Sequence, residues 1–313
     1  MQRILQPGEI EALDHVSFPR VRLPQPAALF QERAARLAQL ADGHPIADYL
    51  RFAARLVQAQ QRVAAQAPAA QAPSADVIER AGAHGMPLMP ASDALPGPWR
   101  DTLRALLADL QADAAVPAPL RPVLDSLAAA GDGALDALAR QALADNIGRE
   151  DLAAAPLVMA ALQVVFAVRA AAVPEKAVPY TEPATLCPVC GSAPVASVLR
   201  IGGNIAGHRY LHCGLCATEW HMVRVKCSHC ESTQGVRYQS AEDADGRIGE
   251  VVQAETCSQC HTYRKLVSQE KDPYAEPLAD DLASLTLDLL MGDTAFSRAS
   301  GNPLLAIERP LAV

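Results

Sequence analysis

Apolar residues recur at helical spacing through the first half of the chain. Ile46, Tyr49, Leu50, Ala53, Leu56 and Val57 stand at i, i+3, i+4 and i+7 intervals, with Pro45 where a helix can start. Similar stripes cross Leu29–Leu40, Pro98–Leu110, Leu120–Ala130 and Leu135–Leu143. Alternating runs are nearly absent there, so residues 1–180 are predicted to form an α-helical domain. Between Gln58 and Ala75 the pattern passes from helix into a loose Ala/Gln/Pro-rich connection, whose Ala-rich start continues the helix until Pro68 and Pro73 end it. The most apolar stretch, Leu152–Val173, is broken by Pro156, Gln163 and Arg169. Its uncharged run is short of a bilayer span, which predicts a buried core helix and no membrane insertion. Pro174, Pro179 and Pro183 mark a linker.

Beyond the linker the period changes. Val195–Ile201 and Tyr210–His212 flank a Gly202-Gly203-Asn204 turn, while Val236–Ser240 and Ile248–Glu255 flank Asp245-Gly246. Thr218–Lys226 and Thr262–Ser268 are predicted closing strands, and Leu278–Met291 returns to an amphipathic helical pattern. The predicted architecture is multi-domain α+β. A helical domain (1–180) precedes two tandem rubredoxin-like or zinc-ribbon β domains (184–226 and 227–270) and a short C-terminal helix within 271–313 that packs back on the body.

All eight cysteines lie in four Cys-x-x-Cys knuckles: Cys187/Cys190, Cys213/Cys216, Cys227/Cys230 and Cys257/Cys260. Adding 40 to the first knuckle gives the third, and adding 44 to the second gives the fourth. The same offsets place Ser192 on Ser232, Thr218 on Thr262 and Val223 on Val267. This internal repeat pairs the knuckles consecutively, with Cys187, Cys190, Cys213 and Cys216 in one site and Cys227, Cys230, Cys257 and Cys260 in the other. A cross-braced arrangement, with the first knuckle sharing a metal with the third, is the alternative that spacing leaves open. Four thiolates per site suit zinc or a single iron, one ion in each. Only Cys187-Pro-Val-Cys190-Gly191 carries the proline and glycine of a rubredoxin knuckle, so the metal stays open. Disulfides are disfavoured because Met1–Glu9 is no apolar signal segment, and a dithiol redox centre because the knuckles alternate with strands and turns. Free thiolates and the lack of a targeting motif point to the cytoplasm.

Charge narrows the partners. The formal net charge is -8, and residues 184–271 hold nine Arg or Lys against eight Asp or Glu. Eight thiolates and two divalent ions would make the metallated segment net negative, a poor footprint for nucleic acid. Full four-sulfur coordination leaves no open position for Lewis-acid catalysis, and no phosphate loop, Ser-His-Asp set or convincing carboxylate pair occurs, so no enzyme is expected. His208, His212, His221, His229 and His261 crowd the knuckles, but the cysteines already fill both sites, which makes these histidines exposed or supporting residues. Tyr210 and Trp220 are expected over the first ribbon's core, and Arg224 and Lys226 on a solvated face.

The run Arg209-Tyr-Leu-His-Cys213-Gly-Leu-Cys216-Ala-Thr-Glu-Trp220-His221 and its continuation Val223-Arg-Val-Lys-Cys227-Ser-His-Cys230 resemble the central signature of the FdhE family, the formate dehydrogenase accessory proteins. Asp48-Tyr-Leu-Arg-Phe-Ala53, Gln269-Glu-Lys-Asp-Pro273 and Ala279-Asp-Asp-Leu-Ala-Ser-Leu285 extend the likeness over most of the chain. The resemblance implies a cytoplasmic maturation factor for respiratory molybdenum or tungsten formate dehydrogenase, acting on its catalytic subunit before export. It also implies metal binding at the eight cysteines. Two alternatives are a rubredoxin-like electron carrier and a zinc-ribbon protein that binds nucleic acid.

Overall fold

The computed structural model describes residues 18–201, 207–242 and 249–306, so the Gly202-Gly203-Asn204 and Asp245-Gly246 turns lie outside the described residues, as does Met1–Glu9. Among the described residues, seven α-helices form the first half: α1 (Pro26–Leu40), α2 (Ala47–Gln66), α3 (Ala75–His84), α4 (Trp99–Ala112), α5 (Arg121–Ala129), α6 (Asp132–Leu143) and α7 (Ala155–Ala171). Proline opens α1 and α7, where its missing N–H costs no helical bond. Helix α7 is the Ala/Val/Leu-rich stretch, and it is buried on every side against α1, α2, α4 and α6. Helix α3 was not marked by the apolar pattern, because of its residues only Ala81 is fully buried.

The strands are β1 (Val21–Arg22), β2 (Pro194–Arg200), β3 (His208–Cys213), β4 (Glu219–His221), β5 (Val236–Gln239), β6 (Val252–Cys257), β7 (Thr262–Ser268) and β8 (Ser297–Arg298). They join in one sheet of order β1-β4-β3-β2-β7-β6-β5, with β8 beside the start of β7. Each ribbon contributes three antiparallel strands. The two are fused by a parallel pairing of β2 with β7, which sets Val198 opposite Val267 and Leu199 opposite Ser268. Both strands are buried along nearly their whole length, so joining them covers apolar surface on each. The tandem ribbons of the sequence pattern are therefore halves of a single sheet.

Two expected elements differ in extent. The closing strand of the first ribbon is only β4, because the chain turns away after His221 and the carbonyls of Val223 and Lys226 accept hydrogen bonds from the Arg209 guanidinium. The single C-terminal helix is two, α8 (Pro277–Ala283) and α9 (Leu285–Gly292). Ser284 breaks it, its hydroxyl donating to the Asp280 and Asp281 carbonyls while buried Lys265 donates to the Asp281 and Ser284 carbonyls. Helix α8 contacts α1, β2 and β7. Arg33 of α1 pairs with Glu276, and Arg36 pairs with Asp280 and Asp272, all across the α1–α8 contact.

One hydrophobic core runs through both halves, from Phe30, Leu50, Leu106 and Leu162 of the helices to Val189, Val195, Leu211 and Trp220 of the first ribbon. A smaller cluster of Ala254, Tyr263, Leu287 and Met291 lies under the second ribbon. Among the described residues no helix is long and apolar enough to cross a membrane.

Candidate metal centres

Each knuckle is the same turn built four times. The residue after the second cysteine sits in the left-handed region: Gly191 (φ 74°), Ala217 (58°), Glu231 (61°) and His261 (53°). Its N–H returns to the carbonyl of the first cysteine, at 2.8, 3.2, 3.2 and 2.9 Å respectively. The N–H of the first cysteine then bonds the carbonyl five residues on, from Cys187 to Ser192, Cys213 to Thr218 and Cys227 to Ser232. The turn curls the chain so that both sulfurs of a knuckle face the same point.

Two such points result. The sulfurs of Cys187, Cys190, Cys213 and Cys216 all lie within 4.8 Å of one another, as do those of Cys227, Cys230, Cys257 and Cys260. The consecutive grouping is the one the structure forms. Cross-knuckle Sγ···Sγ separations are 3.5 Å (Cys187–Cys216) and 3.4 Å (Cys190–Cys213) in the first set, and 3.8 Å for both Cys227–Cys260 and Cys230–Cys257 in the second. Four sulfurs about 2.3 Å from a tetrahedral ion stand about 3.8 Å apart, so both sets have the size of a four-thiolate metal site.

The repeat partners have a role here. Cys216 Sγ donates to Thr218 Oγ1 at 3.2 Å, and Thr262 Oγ1 lies within hydrogen-bond distance of Cys260 Sγ, at 3.1 Å. The Cys216 N–H points at Cys213 Sγ and the His229 N–H at Cys227 Sγ. Val223 and Val267 are not equivalent, since the first is exposed after the end of β4 and the second is buried in β7.

Without a cation the first set cannot ionise fully. Burial pushes the Cys187 and Cys216 thiols up. Burial also opposes a charge at Cys190, but hydrogen bonds from the Cys187, Cys213 and Cys216 thiols and from Ser192 hold it below the ordinary value. In the second set burial pushes Cys227 up to about 12. A divalent ion removes the repulsion among four adjacent thiolates, which is the chemical case for one ion in each set.

Around the sulfurs lies a frame that the sequence pattern did not reveal. The carbonyls of Pro188, Val189 and Cys190 accept hydrogen bonds from the N–H groups of Leu88, Met89 and Ala91, so the first knuckle lies along a helical-domain segment. Gln163 Nε2 donates to Gly214 O at 2.7 Å, and Gln60 Nε2 donates to Gln163 Oε1 at 2.9 Å. An amide inside the apolar run of α7 was the available signal. His212 is buried beside Cys213, with Nδ1 2.8 Å from Glu219. Burial would raise Glu219, but the Arg200 guanidinium and His212 hold it well below the usual carboxylate range. Between the ribbons, Arg209, Glu255 and Arg264 form a buried group that also binds Ser197 and Ser228, the latter inside the third knuckle.

Of the other histidines, His208 and His221 gather around Phe18, and His229 and His261 are exposed. Tyr210 and Trp220 are buried as expected, and Trp220 Nε1 donates to the Ala184 carbonyl on the linker. Arg224 and Lys226 are engaged, with Gly207 O and with Glu231 respectively.

Three family models cover nearly all of this frame: FdhE N-terminal over residues 18–182, FdhE central domain over 186–224 and FdhE C-terminal domain over 225–305. The chain belongs to the FdhE family. Among its relatives, the FdhE homolog of Cronobacter sakazakii is 40% identical over 309 residues and that of Pseudomonas aeruginosa 43% over 307, each match spanning 97% of both chains. The crystal structure of the FdhE protein from Pseudomonas aeruginosa superposes with a TM-score of 0.80 at 39% identity, over 92% of this chain and 99% of that one.

Proposed function

We propose that this FdhE-family protein is a cytoplasmic accessory factor in the maturation of a respiratory molybdenum or tungsten formate dehydrogenase. It binds the catalytic subunit transiently, through a surface that the metal-stabilised ribbons hold against the helical domain. Each cysteine set holds one ion, iron or zinc, with all eight cysteines as ligands, and the protein itself catalyses no reaction.

The observation that carries this reading is the joint at the first cysteine set. Its two knuckles are bonded to residues 88–91 and to Gln163, so closing that site fixes the ribbons relative to the helices. A four-sulfur ion has no vacant position for substrate, which favours a scaffold over a catalyst. Arg209, Arg264 and Lys265 are buried in ion pairs or hydrogen bonds, which leaves even fewer cations on the ribbon surface than the sequence count and disfavours nucleic acid. A rubredoxin-like electron carrier is the second reading. It is favoured by the exposure of Cys230, which brings the second set close to solvent.

The test is a deletion strain without a paralogue, assayed for formate-dependent dye reduction with and without the restored gene. Loss of activity with the enzyme polypeptide still synthesised supports maturation. Unchanged activity removes it.

A further inference from the structure

The two cysteine sets have the same turns and different surroundings. Cys187, Cys190, Cys213 and Cys216 are each at most 1% exposed. In the second set Cys227 and Cys257 are buried, but Cys230 is exposed and Cys260 partly so.

The cause is what covers each pair of knuckles. On the first set the helical domain closes both sides, with Leu88, Met89 and Ala91 laid along one knuckle and Gln163 holding the other at Gly214. The fit is close: a Cβ on Gly191 would meet Pro87 Cγ at 3.1 Å. The bonds that hold the second set come from strands and loops. Its third knuckle is held by Ser228 in the buried Arg264–Glu255 group and by the Ala184 N–H on Glu231. Its fourth is held by the Ser258 N–H on Gly235 O and the Ser297 N–H on His261 O. Those bonds fix the backbone and leave Cys230 exposed and Cys260 partly so.

We propose that the two sites divide their work: the first is a structural site locked into the domain joint, and the second is an exchangeable site that passes a thiophilic divalent cation to or from small thiol or chelating ligands in solution. At the second site an incoming thiol or acidic chelator binds the ion in its deprotonated form as the Cys230 thiolate leaves, and the proton it gives up is taken by the Cys230 sulfur. The ion keeps its charge and no electron moves. Exchange at the first site requires the ribbon to part from residues 88–91 and Gln163, an opening that costs much of the joint's stability. The inference rests on the reading that both sets hold metal.

The full-length protein, loaded with zinc and purified without air, is mixed with excess 4-(2-pyridylazo)resorcinol, and released metal is followed by absorbance. A parallel sample is treated with iodoacetamide and its modified cysteines are mapped by mass spectrometry. One equivalent should leave at least about tenfold faster than the other, as local opening requires less free energy than separating the joint. Cys230 and Cys260 should be alkylated in that phase, with Cys187, Cys190, Cys213 and Cys216 protected. Cys230→Ser should abolish the fast equivalent and keep the slow one. Two equivalents leaving with one rate constant, or a fast phase mapped to the first set, would overturn the division. No zinc retained at either set would instead overturn the metal reading beneath it. The wild-type mapping decides between these outcomes even if Cys230→Ser does not fold.

Discussion

Ala217, Glu231 and His261 adopt a left-handed backbone that glycine would occupy without a side-chain penalty, and each does so because a knuckle turn demands it. His261 is exposed, so its side chain contributes little packing to offset the strain. His261→Gly should therefore stabilise the protein by roughly 0.5 kcal/mol in urea denaturation, the left-handed penalty being partly offset by the entropy of glycine. Thr218→Val should act the other way. It removes the hydroxyl beside Cys216 Sγ and should cost about 1–2 kcal/mol of metal-loaded stability, read as a lower urea midpoint. Glu219 gives a pH signature. Its folded pKa is depressed, so the stability it contributes is complete above the ordinary carboxylate value near pH 4.3 and is lost as pH falls through the folded value. Glu219→Gln should destabilise by about 3 kcal/mol at pH 7, and the gap to wild type should narrow below about pH 4. Cysteine spacing and the 40/44 offsets made the knuckles and the Ser/Thr partners legible. The buried charges were not. Arg33, Arg209 and Arg264 look like solvated residues in a sequence, and only the fold brings Glu276 and Glu255 to them.

At the scale of elements, most helices and the four longer ribbon strands, β2, β3, β6 and β7, followed from periodicity, because each buries one face or both. What periodicity omits is how strands from different ribbons meet. The β2–β7 pairing joins residues about 70 positions apart, and no local pattern encodes it. The buried group behind that seam offers a test: Arg209→Met strands Glu255 beside Arg264 and should cost about 3–5 kcal/mol. A change below 1 kcal/mol in urea denaturation would show that the seam does not depend on the pair. Within α7, Gln163→Leu keeps the helix apolar but leaves the Gly214 carbonyl without its donor, a loss of about 1–3 kcal/mol. Metal release from the first cysteine set should become faster in this variant and release from the second should not change.

For the whole molecule, the core that continues from the helices into the first ribbon means that metal and helical body are energetically linked. Structural thiolate sites contribute on the order of 10 kcal/mol each, so losing the first ion should weaken the helical half as well as the sheet. Sequence alone separates these parts, since the helical pattern ends before the first cysteine and nothing in it marks residues 88–91 as the bed for a knuckle. The most direct test of the account is the metal content of the anaerobically purified chain, measured by elemental analysis with X-ray absorption to count sulfur ligands. The account predicts two ions per chain, each with four sulfurs. A folded ribbon sheet holding one ion or none would contradict it.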